Sequence, residues 1–155
     1  MVGRDGEGGL NVEVLFLFGP NLATLGTRDP ERYGTQTLEE IMAEVAERAE
    51  RLGHRTSWRA TDHEGELVGW IGGAAVEGAE AIVVNPGALT HYSYSLRDAI
   101  EACGLPVVEV HMTNIHAREE FRRQSVISAV CRATISGAGA GGYHVALEAL
   151  PWITG

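Results

Sequence analysis

The sequence predicts an α/β domain, a parallel sheet with helices on both of its faces, and two observations carry that expectation. Short apolar runs that suit buried strands recur at 11–18, 80–85 and 105–111, and the segments between them place their apolar residues at helical spacing. Strands that alternate with helices build βαβ units with right-handed crossovers, and hence a parallel sheet. A chain of 155 residues with 45% hydrophobic content suits one well-buried core and is short for two. One catalytic-sized domain over 11–155 is therefore expected, behind a flexible Gly-rich extension, MVGRDGEGGL, over 1–10.

The elements follow in order. NVEVLFLF at 11–18 is the first buried strand, and a long connection, GPNLATLGTRDPERYG, separates it from TLEEIMAEVAERAERLG at 37–53. In that second segment Leu38, Ile41, Met42, Val45, Ala49 and Leu52 share one helical face. Thr37 with Glu40 forms a capping box, Glu44 with Arg48 and Glu47 with Arg51 have i,i+4 spacing, and Gly53 is the stop signal. HRTSWRA at 54–60 reads as a half-exposed strand, and Asp62 is placed to cap a helix running to about Val76. EAIVVNPG then gives a strand ending near Asn85, SYSLRDAIEACG a helix ending at Gly104, and LPVVEVH a strand ending at His111. A last strand near Ala133–Ser136 and a helix near Tyr143–Leu150 complete a flavodoxin-like three-layer sandwich with a five-stranded parallel sheet.

Composition narrows the chemistry. The formal net charge of −9 opposes binding to a nucleic-acid backbone. The 12 Lys+Arg are all arginines, so no lysine is present to form a Schiff base or to complete a P-loop. Arginine, backbone N–H groups and neutral donors must hold any anion. Cys103 and Cys131 lack CxxC spacing and read as structural thiols. No apolar run approaches a membrane span, and the first residues lack the pattern of a signal peptide, so a cytoplasmic protein without membrane contact is expected.

In open α/β sheets ligands bind beyond the carboxyl ends of the strands. The first strand end supplies Asn21, Arg28 and Tyr33; the third, Asn85, Thr90 and His91; the fourth, His111, Thr113, Asn114, Arg118 and Arg122. Taken singly, each has a structural alternative: a packed tyrosine, a loop histidine, an Asn-Pro-Gly turn, a solvated helical turn at AREEFRR. Their convergence on one edge is what points to a site.

GPNLATLGT contains neither GxGxxG nor GxxxxGK[ST], and Pro20 withholds a backbone donor, which argues against a phosphate cradle. GAGAGG at 137–142 does contain G-x-G-x-x-G, but it follows the last strand and reads as a tight turn. His91, His111 and His116 show no zinc spacing, so no metal site is expected. A lid remains. Arg28 and Tyr33 share the loop, and neighbouring guanidinium charge favours an ionised, basic phenol where water is excluded, so the loop has to close to work.

The blocks GPNLATLGTRDPERYG, TDHEGELVGWI, NPGALTHYSYSLRDAI and EVHMTNIHAREEFRRQSVIS, in register over nearly all of the chain, resemble the type II 3-dehydroquinate dehydratases of the shikimate pathway. The resemblance implies a cofactor-free hydro-lyase that converts 3-dehydroquinate to 3-dehydroshikimate through an enolate, assembled as a homododecamer of trimers. It also implies roles: Tyr33 as the base at C2, Arg28 as its activator, Asn21 holding a water on the enolate, His111 as the acid and Glu109 as its orienting partner. Substrate contacts fall by the same resemblance on Asn85, His91, Met112, Thr113, Arg118 and Arg122, with Asp98 reaching an adjacent subunit. Departures are Phe18 and Asp62 where the family has asparagine, Thr113 for serine, and Met112 for a smaller branched residue. The alternatives are a dehydratase of an aminated dehydroquinate analogue, a flavin or nucleotide binder, and a flavodoxin-like module without turnover.

Overall fold

The computed structural model describes residues 11–155, so the extension expected over 1–10 lies outside the described residues. Five parallel strands, β1 (Glu13–Phe18), β2 (Arg55–Ala60), β3 (Ala81–Asn85), β4 (Val107–His111) and β5 (Ala133–Ser136), lie in the order β2-β1-β3-β4-β5. That order is the flavodoxin-like one, and its switch point falls between β1 and β3. The helices are α1 (Pro30–Tyr33), α2 (Leu38–Arg51), α3 (Glu64–Gly73), α4 (Tyr94–Ala102) and α5 (Gly141–Ile153).

The three central strands β1, β3 and β4 divide their side chains between two cores, as the period of two requires. On β1, Val14, Phe16 and Phe18 pack with Leu38, Ile41, Val45 and Leu147 from α2 and α5, whereas Leu15 and Leu17 pack with Leu67, Ile71, Leu96 and Ile100 from α3 and α4. Because both faces are covered, the run is apolar without alternation. Burying side chains of this size contributes about 1.5–3 kcal/mol each.

The expected capping box of α2 is present: Glu40 N–H donates to Thr37 Oγ1 at 3.2 Å and Thr37 N–H to Glu40 Oε2 at 3.0 Å. The start of α3 differs from the expectation. Its N-cap is His63, without a side-chain cap bond, and Asp62 Oδ1 instead accepts from Asn21 N–H at 2.9 Å. Thr61 Oγ1 takes the local role by accepting from His63 N–H at 3.0 Å. A carboxylate that reads locally as a cap is thus used to tether the loop after β1. The helix also stops at Gly73, short of Val76.

Phe18 is fully buried and meets Tyr143 and Trp58 edge-on, with ring centroids 5.4 and 6.1 Å away. An aromatic there extends the α2/α5 core to the end of the strand. Among the described residues no helix is long and apolar enough to cross a membrane.

Candidate active site

The connection after β1 is compact. Residues 22–24 form a 3-10 turn, Pro30–Tyr33 one helical turn, and Asn21 and Asp29 sit in the left-handed region at φ 70° and 38°. At the switch point its root presses against the turn after β3. Gly19 N–H donates to the Asn85 carbonyl at 2.8 Å, and a Cβ on Gly19 would stand 2.4 Å from the Pro86 carbonyl oxygen. Gly87, at φ +59°, leaves only 2.8 Å between a would-be Cβ and the Pro20 carbonyl oxygen. Gly19 and Gly87 are therefore a steric necessity where the two loops meet.

A cleft of about 130 Å³ opens beyond this junction. Asn21, Arg28, Tyr33, Asn85, His91, His111, Met112, Thr113, Arg118 and Arg122 all line it, so the three strand ends converge as expected. Four of the expected residues do not line it. Thr90 is fully buried and bonded to Glu109, and Asn114 is exposed and accepts from His116 N–H. Glu109 is fully buried behind His111, and Asp98 is exposed on α4.

Tyr33 is held from two sides. Arg118 Nη1 donates to its hydroxyl oxygen at 3.0 Å and to Thr113 Oγ1 at 3.2 Å, while the Arg28 guanidinium lies 4.7 Å from the ring centroid. Arg118, more than Arg28, meets the phenol oxygen, and Arg28 makes a cation–π contact. Arg118 Nε is buried without a hydrogen-bond partner among the described residues. Arg122 Nε donates to Glu119 Oε2 at 2.5 Å.

Across the cleft, His111 Nε2 donates to Glu109 Oε2 at 2.5 Å. The two residues are two apart on β4 and so share a face. Glu109 also accepts from Thr90 Oγ1 at 2.5 Å, Ser125 Oγ at 2.9 Å and Ser128 Oγ at 2.6 Å. Burial pushes the Glu109 carboxyl up, but the His111 bond and charge and the serine and threonine hydroxyls outweigh it, leaving the group below its usual range. An anionic Glu109 fixes the proton of His111 on Nε2 and supports the imidazolium, in which Nδ1 also carries a proton.

His91 Nδ1 meets the Gln124 carbonyl at 2.7 Å, so Nδ1 carries its proton. Burial lowers its pKa, offset in part by that carbonyl, so the neutral form with a free Nε2 is favoured. Asn85 has its amide oriented by two contacts: Gly87 N–H donates to Oδ1 at 3.2 Å, and Nδ2 donates to the Tyr143 hydroxyl at 2.9 Å. Tyr143 is fully buried on α5, and burial pushes its phenol pKa well up, so it stays neutral. The GAGAGG turn binds the end of β4 from the other side, with Gly137 N–H on the His111 carbonyl and Gly139 N–H on the Met112 carbonyl.

Ser125, Ser128 and Tyr143 are the site residues that sequence reasoning missed. Their partners lie 16, 19 and 58 positions away, beyond any local signal, although both serines stand inside the EVHMTNIHAREEFRRQSVIS block. Among the described residues no group of three or more His, Cys, Asp or Glu side chains is gathered that could hold a metal ion.

A flavodoxin-like sheet with a guanidinium-held phenol on one side of its switch-point cleft and an imidazole–carboxylate pair on the other has the groups that acid–base chemistry uses, beside three arginines. The family model for dehydroquinase class II matches residues 12–151, and the chain belongs to that family. It is 56% identical over 134 residues to 3-dehydroquinate dehydratase of Thermus thermophilus, covering 86% of this chain and 90% of that one. It is 51% identical over 137 residues to the Deinococcus radiodurans protein of the same description, covering 88% and 96%. Among solved structures it resembles type II dehydroquinase from Propionibacterium acnes, with a TM-score of 0.86, 41% identity, and 95% and 99% of the two chains covered. The type II dehydroquinase from Butyrivibrio crossotus superposes with a TM-score of 0.88 at 37% identity, covering 91% and 98%.

Proposed function

We propose that this class II dehydroquinase eliminates water from 3-dehydroquinate to give 3-dehydroshikimate, with Tyr33 as base and His111 as acid. The observation that carries the assignment is the pairing across one cleft of Tyr33, bonded to Arg118 at 3.0 Å, with His111, bonded to Glu109 at 2.5 Å. Tyr33 as phenolate, its charge met by Arg118 and Arg28, takes the proton at C2 beside the ketone. The C–H electron pair moves into an enolate, and Asn21, at the cleft edge, holds a water on the developing oxyanion. The enolate collapses, the C1 hydroxyl leaves with a proton from His111 as water, and the new double bond is conjugated with the ketone. Tyr33 then holds the C2 proton and His111 has lost one, so exchange with solvent resets the pair.

Asn85, His91, Thr113, Arg118 and Arg122, with the buried Met112 beneath them, bind the substrate carboxylate and hydroxyls. Three arginines in the cleft of a chain of net charge −9 concentrate positive potential where an anionic substrate enters. Asp98 completes the cleft of a neighbouring subunit in a homododecamer of trimers, a reading supported by the exposed Tyr92 and Tyr94 beside it. The protein works in the cytoplasm.

The test is the ultraviolet absorbance of the conjugated enone after mixing chelator-treated protein with 3-dehydroquinate. A steady rise supports the assignment, and no rise removes it. Light scattering of the purified protein tests the assembly, and a monomer in solution sinks it.

A further inference from the structure

One short segment, 124–128, reaches both histidines of the cleft, His91 directly and His111 through Glu109. The Gln124 carbonyl fixes the proton of His91, and the Ser125 and Ser128 hydroxyls both bind Glu109, the partner of His111. The segment is itself pinned. Val126 N–H donates to the Thr90 carbonyl at 2.8 Å, Arg97 Nη1 to the Val126 carbonyl at 2.8 Å, and Ser125 Oγ accepts from Ile127 and Ser128 N–H at 3.2 and 3.1 Å. A loop held by so many bonds is rigid, and its polar atoms are directed at two groups of the reaction rather than at solvent.

We propose that Ser128, Ser125 and Thr90 are positioning residues that hold Glu109 as an oriented anion, and that they thereby tune the acid His111. This rests on the dehydratase reading for its kinetic arm only. The carboxylate and imidazole titrate as a pair. Each hydroxyl donated to Glu109 stabilises the state in which the pair has given up a proton, because the carboxylate then lacks the imidazolium charge. The cage therefore makes His111 a readier acid while preventing Glu109 from taking the proton itself. The other ionisable groups around the pair are His91, whose ring is stacked 6.5 Å from that of His111, Arg122 beside His91, and Cys131 behind Glu109, whose thiol burial and the Glu109 charge push up to about 12.

The experiment compares the intact chain with Ser128→Ala and with Thr90→Val, which removes the hydroxyl at nearly constant shape, and includes Thr90→Ser as the rescue. The His111 ring is titrated by NMR without ligand, and kcat and KM for 3-dehydroquinate are measured against pH. The expected result is a rise of the His111 midpoint by about one pH unit in Ser128→Ala and Thr90→Val. The alkaline limb of kcat moves with it, kcat falls roughly tenfold, KM changes little, and Thr90→Ser restores the original values. A lowered Tm with an unmoved midpoint and an unmoved pH profile marks a merely structural cage and overturns the proposal. If one variant does not fold, the other decides it. Should the intact chain show no turnover while the midpoint still rises in the variants, the dehydratase reading falls and the positioning role stands.

Discussion

Arg118 Nη1 stands 3.0 Å from the hydroxyl oxygen of Tyr33, 85 positions away in sequence, and this bond pins the loop after β1 over the ends of β3 and β4. The same nitrogen also bonds Thr113 Oγ1, so one guanidinium sets the phenol and an edge of the cleft together. Arg118→Lys keeps a positive charge but loses the planar fork that makes both contacts. The expected outcome is a fall in kcat of roughly ten- to a hundredfold with an unchanged far-UV spectrum. Tyr33→Phe is expected to fall further, by about 10²- to 10⁴-fold. Steady-state assays of the two variants side by side check this, and wild-type activity in Tyr33→Phe would remove the base assigned here.

Tyr143 carries a second expectation. Its hydroxyl is the acceptor for Asn85 Nδ2 in a fully buried position. Tyr143→Phe leaves that amide donor unpaired at a cost of about 1–3 kcal/mol. A lower urea midpoint and a several-fold higher KM are expected, with kcat less affected. Equal losses in kcat and KM terms, or none, would show that Asn85 does not depend on the tyrosine.

Gly19→Ala tests the contact of the two loops at the switch point. A methyl there would stand 2.4 Å from the Pro86 carbonyl oxygen, a backbone atom with no rotamer to give way. Destabilisation of about 1–3 kcal/mol is expected from the overpacking, together with loss of activity as the root of the loop after β1 shifts. Thermal unfolding and the enone assay measure the two effects separately.

His54 gives a pH dependence of stability. Val12 N–H donates to His54 Nδ1 at 3.2 Å, so the ring is held neutral, and burial lowers its pKa with only partial opposition from Glu148. The unfolded chain therefore binds a proton more readily than the folded one. The stabilisation is complete above the ordinary histidine value of about 6.5 and is lost as pH falls below it. Urea unfolding between pH 8 and 5 should show a steeper decline for the wild type than for His54→Gln, and parallel curves would contradict the assignment.

Most of the architecture could be read directly from the chain. β1, β3 and β4 are apolar runs of strand length, and α2 announces itself through its stripe and the Thr37–Glu40 box, so local forces and the final fold agree there. At Asp62 they disagree. A helix cap and a tether to Asn21 compete for one carboxylate, and only the three-dimensional approach of two loops decides between them. The site shows the same division. The lining residues gather because strand ends of a parallel sheet share one edge, which the sequence implies once the strands are placed. The cage around Glu109 and the bond from Asn85 to Tyr143 depend on side chains far apart in the chain, with no periodic signal to announce them.

The alternation of side chains along the strands also sorts the faults that mutation can cause. Asn85 belongs to the layer of α2 and α5, through Tyr143, whereas Glu109 and His111 belong to the layer of α3, α4 and the 124–128 segment. The sheet edge is thus one bench braced separately from its two faces. On the proposed roles of Asn85 and His111, loosening the first support is expected to disturb how a ligand is seated, and loosening the second how a proton is delivered. Core variants chosen far from the cleft would declare their layer through kinetics alone.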